Sequence, residues 1–334
     1  MEIIRSTKQE IEDYYNSPAL NQSKLKKLLY GPKYFMKEEE DNKADYFIIG
    51  SAVDCILTHP EDFYDEFAVI DSVNDTAPSV KKILEAVFEQ AKASGLQDKE
   101  LGDLEELVWA SIQINEFQSK WKKETRIEKI MDGVSYYNQL KLSDGKLMLD
   151  STMYELVNKI TNSIKSKPCC FPFSDSESFD PELIFMKKIK SIYFQKPIYF
   201  NYSGVDCKAL LDALVEFEDG SYTIFDLKTT SKRVIEFRES FFKYRYDMQF
   251  AWYHAAVGLN EHCQYFNIVE STTDTGTPAA FYINKDIVQE ALEDIDNLMN
   301  DYKYYLANGF EVDKEIRDHD GYLTISKNDK DKIN

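Results

Sequence analysis

The chain has 334 residues, of which 43% are hydrophobic, and its 22 tyrosines and 21 phenylalanines are typical of a folded globular protein. It contains no GxxxxGK(S/T) or GxGxxG motif, which excludes the usual phosphate loops of motor proteins and dinucleotide-binding enzymes. Its net charge of −19 is unusual for a nucleic-acid-binding protein, so such a partner would require a local cluster of lysine and arginine.

The N-terminal region shows no targeting or membrane signal. Met1–Arg5 lacks the basic and apolar segments of a signal peptide, and the apolar run Tyr46–Val53 is too short to span a bilayer. We therefore expect a soluble, cytoplasmic protein without a membrane partner. The five cysteines show no CxxC spacing and the four histidines no HExxH pair, so we expect reduced structural thiols rather than disulfides or a zinc site.

The first expected helices lie before residue 60. Residues 1–20 are polar and are expected to form only a lead-in. Ser23 is a credible N-cap for a helix over residues 24–30, which a Gly-Pro pair ends. Residues 46–58 predict a buried helix with one charge, Asp54, among apolar neighbours. Asp54 either faces solvent from a core helix or has a partner that offsets the cost of its burial.

The pattern changes twice further along the chain. Residues 78–130 have helical periodicity with a break near Gly95, and the Ser/Asp-rich residues 168–181 are expected to form a loop. The section over residues 75–180 therefore predicts a helical insertion. From residue 183 the sequence is typical of β-strands, and the tail from residue 311 is charged. The segments predicted individually are helices over 104–120, 153–164, 238–259 and 287–306, and strands over 184–194, 197–202, 265–270 and 279–283.

The stretch over residues 204–230 predicts a β-hairpin with charged residues inside apolar strands. Its turn falls at Glu218-Asp219-Gly220, because Asp-Gly is a strong hairpin signal. Asp212, Asp226 and Lys228 lie in the flanking strands, where an unpaired buried charge would cost several kcal/mol. Each of the three therefore needs a partner.

Strand geometry suggests which partners these charges have. Asp226 and Lys228 are two residues apart, so both point to the same face of the sheet. A three-residue loop would place Asp212 opposite Asp226 on that face, whereas a two-residue loop would separate the two carboxylates. Two carboxylates and an ammonium on one face form a site for a hard cation, as in metal-assisted phosphodiester hydrolysis. The alternative is a structural Asp–Lys pair with a second Asp that caps a turn.

Three basic runs provide candidate phosphate contacts. The third run, directly after the carboxylate of Asp226, is Lys228-Lys232-Arg233-Arg238-Lys243-Arg245. Each run alone is typical of a solvated surface. The other two runs are Lys24-Lys26-Lys27-Lys33 and Lys187-Lys188-Lys190.

The order of these motifs resembles a known family. It is similar to the RecB-like branch of the PD-(D/E)xK nuclease superfamily, and within it to the RecE-type exonucleases, such as exodeoxyribonuclease VIII and its phage relatives. The matching segments cover roughly residues 1–65 and 183–270. The matching motifs are Ser23-x-Leu25-x-x-Leu28-x-x-x-Pro32-x-x-Phe35, the helix Gly50–Leu57 followed by Pro60–Phe63, the strand Gly204–Ala209 leading into Asp212, Asp226-Leu227-Lys228, and Gln249-x-x-x-Tyr253.

The resemblance implies an α/β fold with a PD-(D/E)xK nuclease core, in which helices flank a central mixed β-sheet, and with a helical insertion. It assigns residues 1–334 to a single nuclease domain. The core segments would be 20–65 and 183–285, the insertion roughly 75–180, and the charged C-terminal tail 311–334.

The resemblance also implies roles for individual residues. Asp212, Asp226 and the main-chain carbonyl of Leu227 would bind a divalent cation, Mg²⁺ or Mn²⁺. Lys228 would position or activate the attacking water and stabilise the negative charge that develops during hydrolysis. The DNA-binding residues would be Gln249, Tyr253, Ser23, Lys232 and Arg233.

One position departs from the family pattern. The histidine of the family's apolar helix is Asp54 here. A carboxylate ligates Mg²⁺ or Mn²⁺ at least as readily as an imidazole does. We therefore expect Asp54 to act as a further metal ligand.

The resemblance implies a Mg²⁺-dependent exonuclease that degrades linear double-stranded DNA ends in phage-type recombination. A single-strand annealing protein and a second copy of the chain would be its protein partners, in the host cytoplasm if the protein is phage-encoded. Two alternatives stay open. One is an endonuclease or the nuclease subunit of a helicase–nuclease system, and the other is a catalytically inactive scaffold that binds DNA or protein.

Overall fold

The computed structural model describes residues 1–37, 44–70, 76–143, 146–175, 182 and 185–319. The chain divides into two compact units, one formed by Met1–Asn42 and Ile160–Asn334 and the other by Lys43–Lys159. Both units combine helices with β-strands, so the protein has the mixed α/β character predicted from the sequence. The assignment of residues 1–334 to one nuclease domain stays a prediction.

A six-stranded mixed sheet organises the first unit, in the order β1-β4-β5-β6-β7-β8 with strands numbered along the chain. The three central strands β4, β5 and β6 are antiparallel neighbours, whereas β6 and β7 run parallel. β1 lies parallel to β4 at one edge, and β8 lies antiparallel to β7 at the other. The strands are β1 (Glu2–Arg5), β4 (Ile189–Tyr202), β5 (Val205–Phe217), β6 (Tyr222–Thr230), β7 (Gln264–Ser271) and β8 (Ala279–Tyr282).

Helices of the first unit cover the sheet and complete its core. The helix α12 (Tyr246–Ala256) is apolar on most sides, and Trp252 is fully buried with its indole N–H donating to the carbonyl of Lys208 at 2.9 Å. Burial of such side chains dominates the stability of this unit. Its other described helices are α1 (Lys8–Asn16), α2 (Gln22–Lys26), α3 (Pro32–Phe35), α11 (Phe237–Lys243), α13 (Lys285–Asn308) and α14 (Lys314–Asp318), with 3₁₀ turns at Lys27–Tyr30, Pro168–Cys170 and Val234–Glu236.

The loop of the central hairpin has the three-residue form. Ala213 pairs with Phe225 and Glu216 with Tyr222, and the amide of Phe217 donates to the carbonyl of Ser221 at 3.0 Å. Gly220 adopts a φ of +79°, a conformation that side chains with a Cβ rarely adopt. The register therefore matches the alternative in which positions 212 and 226 are opposite each other.

The single helix predicted over residues 238–259 is wrong, because the chain forms two helices there. α11 ends at Lys243 and α12 begins at Tyr246. Between them Arg245 has a left-handed φ of +58°, which breaks the helical path. Arg245 is held in this turn by ion pairs with Asp247, at 3.1 Å, and with Asp294.

The N-terminal region contains more structure than the predicted lead-in. β1 extends the sheet, and α1 begins with a capping box in which Thr7 and Glu10 each accept from the other's backbone amide. The predicted N-cap Ser23 is also wrong. Asn21 caps α2 by accepting from the amide of Lys24 at 2.7 Å, and Ser23 lies within the helix.

The two strands predicted over 184–194 and 197–202 form one strand, β4, although residues 183 and 184 lie outside the described ones. Pro197 lies inside this strand and pairs with Leu210 of β5, three residues after Phe194, where the pairing of β1 with β4 ends.

The second unit contains the predicted insertion and also the apolar helix around Asp54. It is not purely helical, because the short strands β2 (Phe67–Ile70) and β3 (Leu147–Asp150) pair in parallel. The helix predicted over 104–120 ends earlier, and Glu116 and Gln118 have positive φ values. Its described helices are α4 (Asp45–Thr58), α5 (Phe63–Glu66), α6 (Pro78–Ala93), α7 (Glu105–Ile114), α8 (Lys123–Met131), α9 (Val134–Ser143) and α10 (Ser151–Lys165, which ends in the first unit), with 3₁₀ turns at Pro60–Asp62 and Leu101–Leu104.

None of the helices in the described part of the chain combines the length and hydropathy that a bilayer crossing requires. The predicted C-terminal tail is described only as far as His319. It includes the short helix α14, and residues 320–334 lie outside the described part.

Candidate active site

The hairpin β5–β6 brings Asp212 and Asp226 to the same face of the sheet. The ladder of β5 and β6 ends at the pair Ala213 and Phe225, and the same register continued by one residue places Asp212 opposite Asp226. Asp212 is half-buried, and one of its carboxylate oxygens accepts from the backbone amide of Leu227 at 2.8 Å. Asp226 is fully buried, with an exposed fraction of 0%. The structure therefore brings together the two carboxylates identified from the sequence.

Asp226 is surrounded by donors from three elements. The ammonium of Lys228 lies 2.5 Å from Oδ2, and the amide of Asn267 on β7 donates to the same oxygen at 2.8 Å. Gln249 on α12 donates to Oδ1 at 2.9 Å. A buried carboxylate is stable only with such partners, and these contacts fix the orientation of its two oxygens.

Asn267 was not predicted from the sequence. It lies opposite Asp226 in the parallel pairing of β6 and β7, and its side chain is fully buried. The available signal was a polar amide inside the apolar strand Tyr265-Phe266-Asn267-Ile268-Val269. A neutral side chain in a strand is a weaker signal than a charge, because its burial costs less.

Lys228 is a cationic group in direct contact with both the carboxylate and the backbone. Besides Asp226, its ammonium approaches the carbonyl of Leu227 at 3.3 Å and the ring of Tyr246 at 5.2 Å from the centroid. Burial alone would lower the pKa of Lys228, but the charges of Asp226 and Asp212 outweigh it and raise this pKa above its usual value. The raised pKa favours the protonated, positively charged form of Lys228 at neutral pH.

Gln249 and Tyr253 lie one turn apart on α12, as the sequence spacing predicts. The amide of Gln249 donates to the hydroxyl of Tyr253 at 2.6 Å as well as to Asp226. Tyr253 is only 6% exposed, and burial together with the charges of Asp226 and Asp212 raises its pKa well above the usual value. Both residues border a small cavity of about 70 Å³ that Ser23 on α2 also lines. Their contact with DNA stays a prediction.

The other predicted DNA contacts are exposed and paired with local acids. Lys232 lies 3.3 Å from Glu239, and Arg233 lies 2.8 Å from Glu236. Both basic residues follow the end of β6, and a surface ion pair of this kind is weak enough to exchange for a phosphate. Their predicted role is therefore compatible with their positions but is not tested.

Asp54 belongs to the second unit, where it is half-buried on α4. Its neighbour Thr58 donates its hydroxyl to the carbonyl of Asp54 at 2.8 Å, which is a contact within one helical turn. The nearby His59 is buried at the end of the helix. The assignment of Asp54 as a metal ligand stays a prediction.

The donor set of this site fits a hard divalent cation. Within the described ranges, no three His, Cys, Asp or Glu side chains lie close enough together to bind one metal ion. Mg²⁺ does not require three protein side chains, because it often binds one or two carboxylates and completes its shell with water and substrate phosphate. Oδ1 of Asp226 accepts from Gln249 alone among the described donors, so one of its two lone-pair positions is available to a cation.

Gln249→Ala is expected to weaken metal use without abolishing the fold. The amide orients Asp226, and removal of such a supporting contact typically costs about 10- to 100-fold in metal affinity or activity. The measurement is the Mg²⁺ concentration that gives half-maximal cleavage, which is expected to rise by that factor. Gln264→Ala, outside the site on β7, is the control. An unchanged metal requirement in Gln249→Ala would show that this amide does not orient the ligand.

Comparisons with known proteins give little further information. No protein-family model matches the chain, and no curated protein matches it. Among solved structures, a protein from Eubacterium rectale, provisionally described as an exonuclease, is 15% identical with a TM-score of 0.46. The alignment covers 98% of this chain and 97% of that one. Similarity at this level does not establish a shared fold.

Proposed function

We propose that the protein is a divalent-metal-dependent deoxyribonuclease with Asp212, Asp226 and Lys228 at its active site. The observation that supports this proposal is the buried Asp226 with an ammonium 2.5 Å away, on the same sheet face as a second carboxylate. A structural ion pair alone would not require Asp212 at this position. The mixed sheet with helices around it is compatible with a PD-(D/E)xK core.

The metal would be held by Asp212, Asp226 and the main-chain carbonyl of Leu227. Once bound, Mg²⁺ or Mn²⁺ supplies Lewis acidity to the phosphate and lowers the pKa of bound water. Gln249 and Asn267 hold the Asp226 carboxylate in one orientation.

Lys228 is the chain's own contribution to charge stabilisation. Hydrolysis forms a bond from a water oxygen to phosphorus and breaks the bond from phosphorus to the sugar oxygen. Negative charge grows on the phosphate oxygens during this step, and a positioned ammonium in a partly buried site stabilises it. Because its pKa is raised, Lys228 stays charged and donates to these oxygens or to the attacking water.

The finer function is proposed from the family resemblance. We propose an exonuclease that degrades linear double-stranded DNA ends in phage-type recombination. Its partners would be a single-strand annealing protein and further copies of the chain. An assay with linear and circular substrates separates end-dependent degradation from simple nuclease activity.

The experiment compares end-labelled linear duplex with closed circular DNA, each with Mg²⁺, with Mn²⁺ and with EDTA. The proposal expects metal-dependent loss of the linear duplex and an intact circle. Cleavage of the circle would indicate an endonuclease instead. An intact linear duplex with either metal would contradict the proposal and favour an inactive scaffold. Asp212→Asn, purified in parallel, is the control for contaminating nuclease.

Asp54→Ala tests the further metal ligand separately. If Asp54 binds the metal, the variant is expected to require at least about tenfold more Mg²⁺ for half-maximal cleavage, because one oxygen ligand is lost. Asp45→Ala, on the first turn of the same helix, is the matched control. An Asp54→Ala variant with the parent's metal requirement would remove Asp54 from the site and leave the role of Asp212 and Asp226 untouched.

A further inference from the structure

Lys26 is a half-buried cation that the mechanism above does not use. It is the last residue of α2, and its ammonium donates to the backbone carbonyl of Tyr244 at 3.2 Å. Among the described carboxylates, none forms an ion pair with Lys26. A neutral carbonyl offsets the desolvation of an ammonium only in part, so this group retains capacity to bind an anion.

The turn that holds Lys26 is fixed by its neighbours. Tyr244 is the C-cap of α11, and the left-handed Arg245 directs the chain into α12. The guanidinium of Arg245 is paired with Asp247 and Asp294, so its charge is largely satisfied within the protein. A non-glycine residue adopts this conformation only where its surroundings hold it there, and such strain is common at functional sites. The carbonyl of Tyr244 is thus held in place toward Lys26.

The electrostatics of this position favour an anionic ligand. Burial lowers the pKa of Lys26, and the charges of Lys228 and Arg245 lower it further, while Asp247 acts in the opposite direction. Lys26 and Lys228 come from different elements and are close enough to repel each other. An anion placed beside them would relieve that repulsion and the desolvation together.

We propose that Lys26 binds a backbone phosphate of the nucleic-acid strand that is cleaved at the Asp212–Asp226 pair. This inference rests on the proposed function, because it takes the substrate to be a polyanion. Lys26 is then a positioning residue, which binds the strand beside the reacting phosphate while Lys228 remains in contact with Asp226.

The surroundings of Lys26 fit a nucleic-acid strand better than a small anion. Residues 14–37 contain five lysines and no aspartate or glutamate, although the whole chain has a net charge of −19. Tyr244, whose carbonyl Lys26 contacts, is 50% exposed. Local basic residues with an exposed aromatic ring are typical of strand-binding surfaces, where phosphates and bases are contacted together.

The experiment measures binding without cleavage. Fluorescence anisotropy of a labelled duplex with a single-stranded overhang is followed in EDTA, over a series of salt concentrations, for the parent and three variants. Lys26→Met removes the charge and keeps the aliphatic stem, Lys26→Arg restores a charge, and Lys303→Met removes an exposed lysine from α13, outside the three basic runs. Circular dichroism melting confirms that each variant is folded.

Lys26→Met is expected to bind about tenfold more weakly at moderate salt, with a slope of log affinity against log salt that is smaller by about one. Lys26→Arg is expected to recover most of the loss, and Lys303→Met to resemble the parent. The proposal is overturned if Lys26→Met keeps the parent's affinity and slope, or if Lys303→Met loses as much.

Binding and cleavage measured together distinguish a failure of the Lys26 inference from a failure of the proposed nuclease function. A parent that binds the duplex but never cleaves it contradicts the nuclease proposal, while the slope of Lys26→Met still decides the role of Lys26. A parent that cleaves DNA while Lys26→Met binds normally overturns only the inference about Lys26. A parent that neither binds nor cleaves DNA contradicts both.

Discussion

Asp226→Asn is expected to abolish metal-dependent cleavage of linear duplex DNA, with a loss of at least about a thousandfold in rate. The substitution keeps the shape of the side chain and removes its charge. The amide retains only one acceptor oxygen, so the donors of Gln249, Asn267 and Lys228 can no longer all be satisfied. A neutral amide is also a much poorer ligand for Mg²⁺ than a carboxylate. The measurement is the initial rate with end-labelled DNA at saturating Mg²⁺.

The hairpin itself offers the control for this variant. Asp219 lies in the same loop, is 53% exposed, and pairs with Lys187 at 3.0 Å. Asp219→Asn removes one carboxylate from the same supersecondary element without touching the site, so it is expected to cleave like the parent. An Asp226→Asn variant that digests DNA as fast as Asp219→Asn does would place the chemistry elsewhere.

Lys228→Met is expected to lower the free energy of unfolding by about 3–5 kcal/mol, the range observed when one partner of a buried pair is removed. The variant leaves the carboxylate of Asp226, with an exposed fraction of 0%, without its nearest cation. Urea unfolding followed by tryptophan fluorescence measures the loss. Cleavage is expected to fall as well, because the ammonium that stabilises the phosphate charge is absent.

Two further variants show whether the lost stability comes from the buried ion pair. Lys232→Met, which removes an exposed lysine paired with Glu239 at 3.3 Å, is expected to cost about 0–1 kcal/mol. The double variant Asp226→Asn with Lys228→Met is expected to be more stable than Lys228→Met alone, since no unpaired charge remains. Equal losses in Lys228→Met and Lys232→Met would show that the 2.5 Å contact contributes nothing specific.

The ion pair between Asp226 and Lys228 is expected to make the free energy of unfolding depend on pH. Because the folded-state pKa of Lys228 is raised, its contribution to stability is complete below the unfolded-state pKa of about 10.4 and is lost as the pH rises through the folded-state value. The stability difference between parent and Lys228→Met is therefore expected to be constant at neutral pH and to shrink only in strong alkali.

The charged part of the site could be predicted from sequence because buried charge is conspicuous. Asp212, Asp226 and Lys228 are charged residues in otherwise apolar strands. The length of the loop over residues 218–220 determines the register of the hairpin, and the observed register places the two carboxylates opposite each other. Asn267 escaped prediction because a neutral amide gives no comparable signal, and only the parallel register of β7 reveals it.

Local backbone features were the main source of error in the fold. The break at Arg245 was missed because an arginine with positive φ leaves no mark in the sequence, where the hydrophobic pattern runs on through both helices. The capping box of Thr7 and Glu10 was readable in the sequence, but the polar character of residues 1–20 obscured it. The prediction of Ser23 instead of Asn21 as the cap reflects the similar capping propensities of serine and asparagine.

The central claim, that Asp212 and Asp226 share one cation, is tested most directly by Mn²⁺ binding followed by electron paramagnetic resonance. The parent protein is expected to bind Mn²⁺, and Asp212→Asn and Asp226→Asn are each expected to weaken that binding by more than about tenfold, with Asp219→Asn unchanged. A parent that does not bind Mn²⁺, or two variants that bind it as well as the parent does, would contradict the claim.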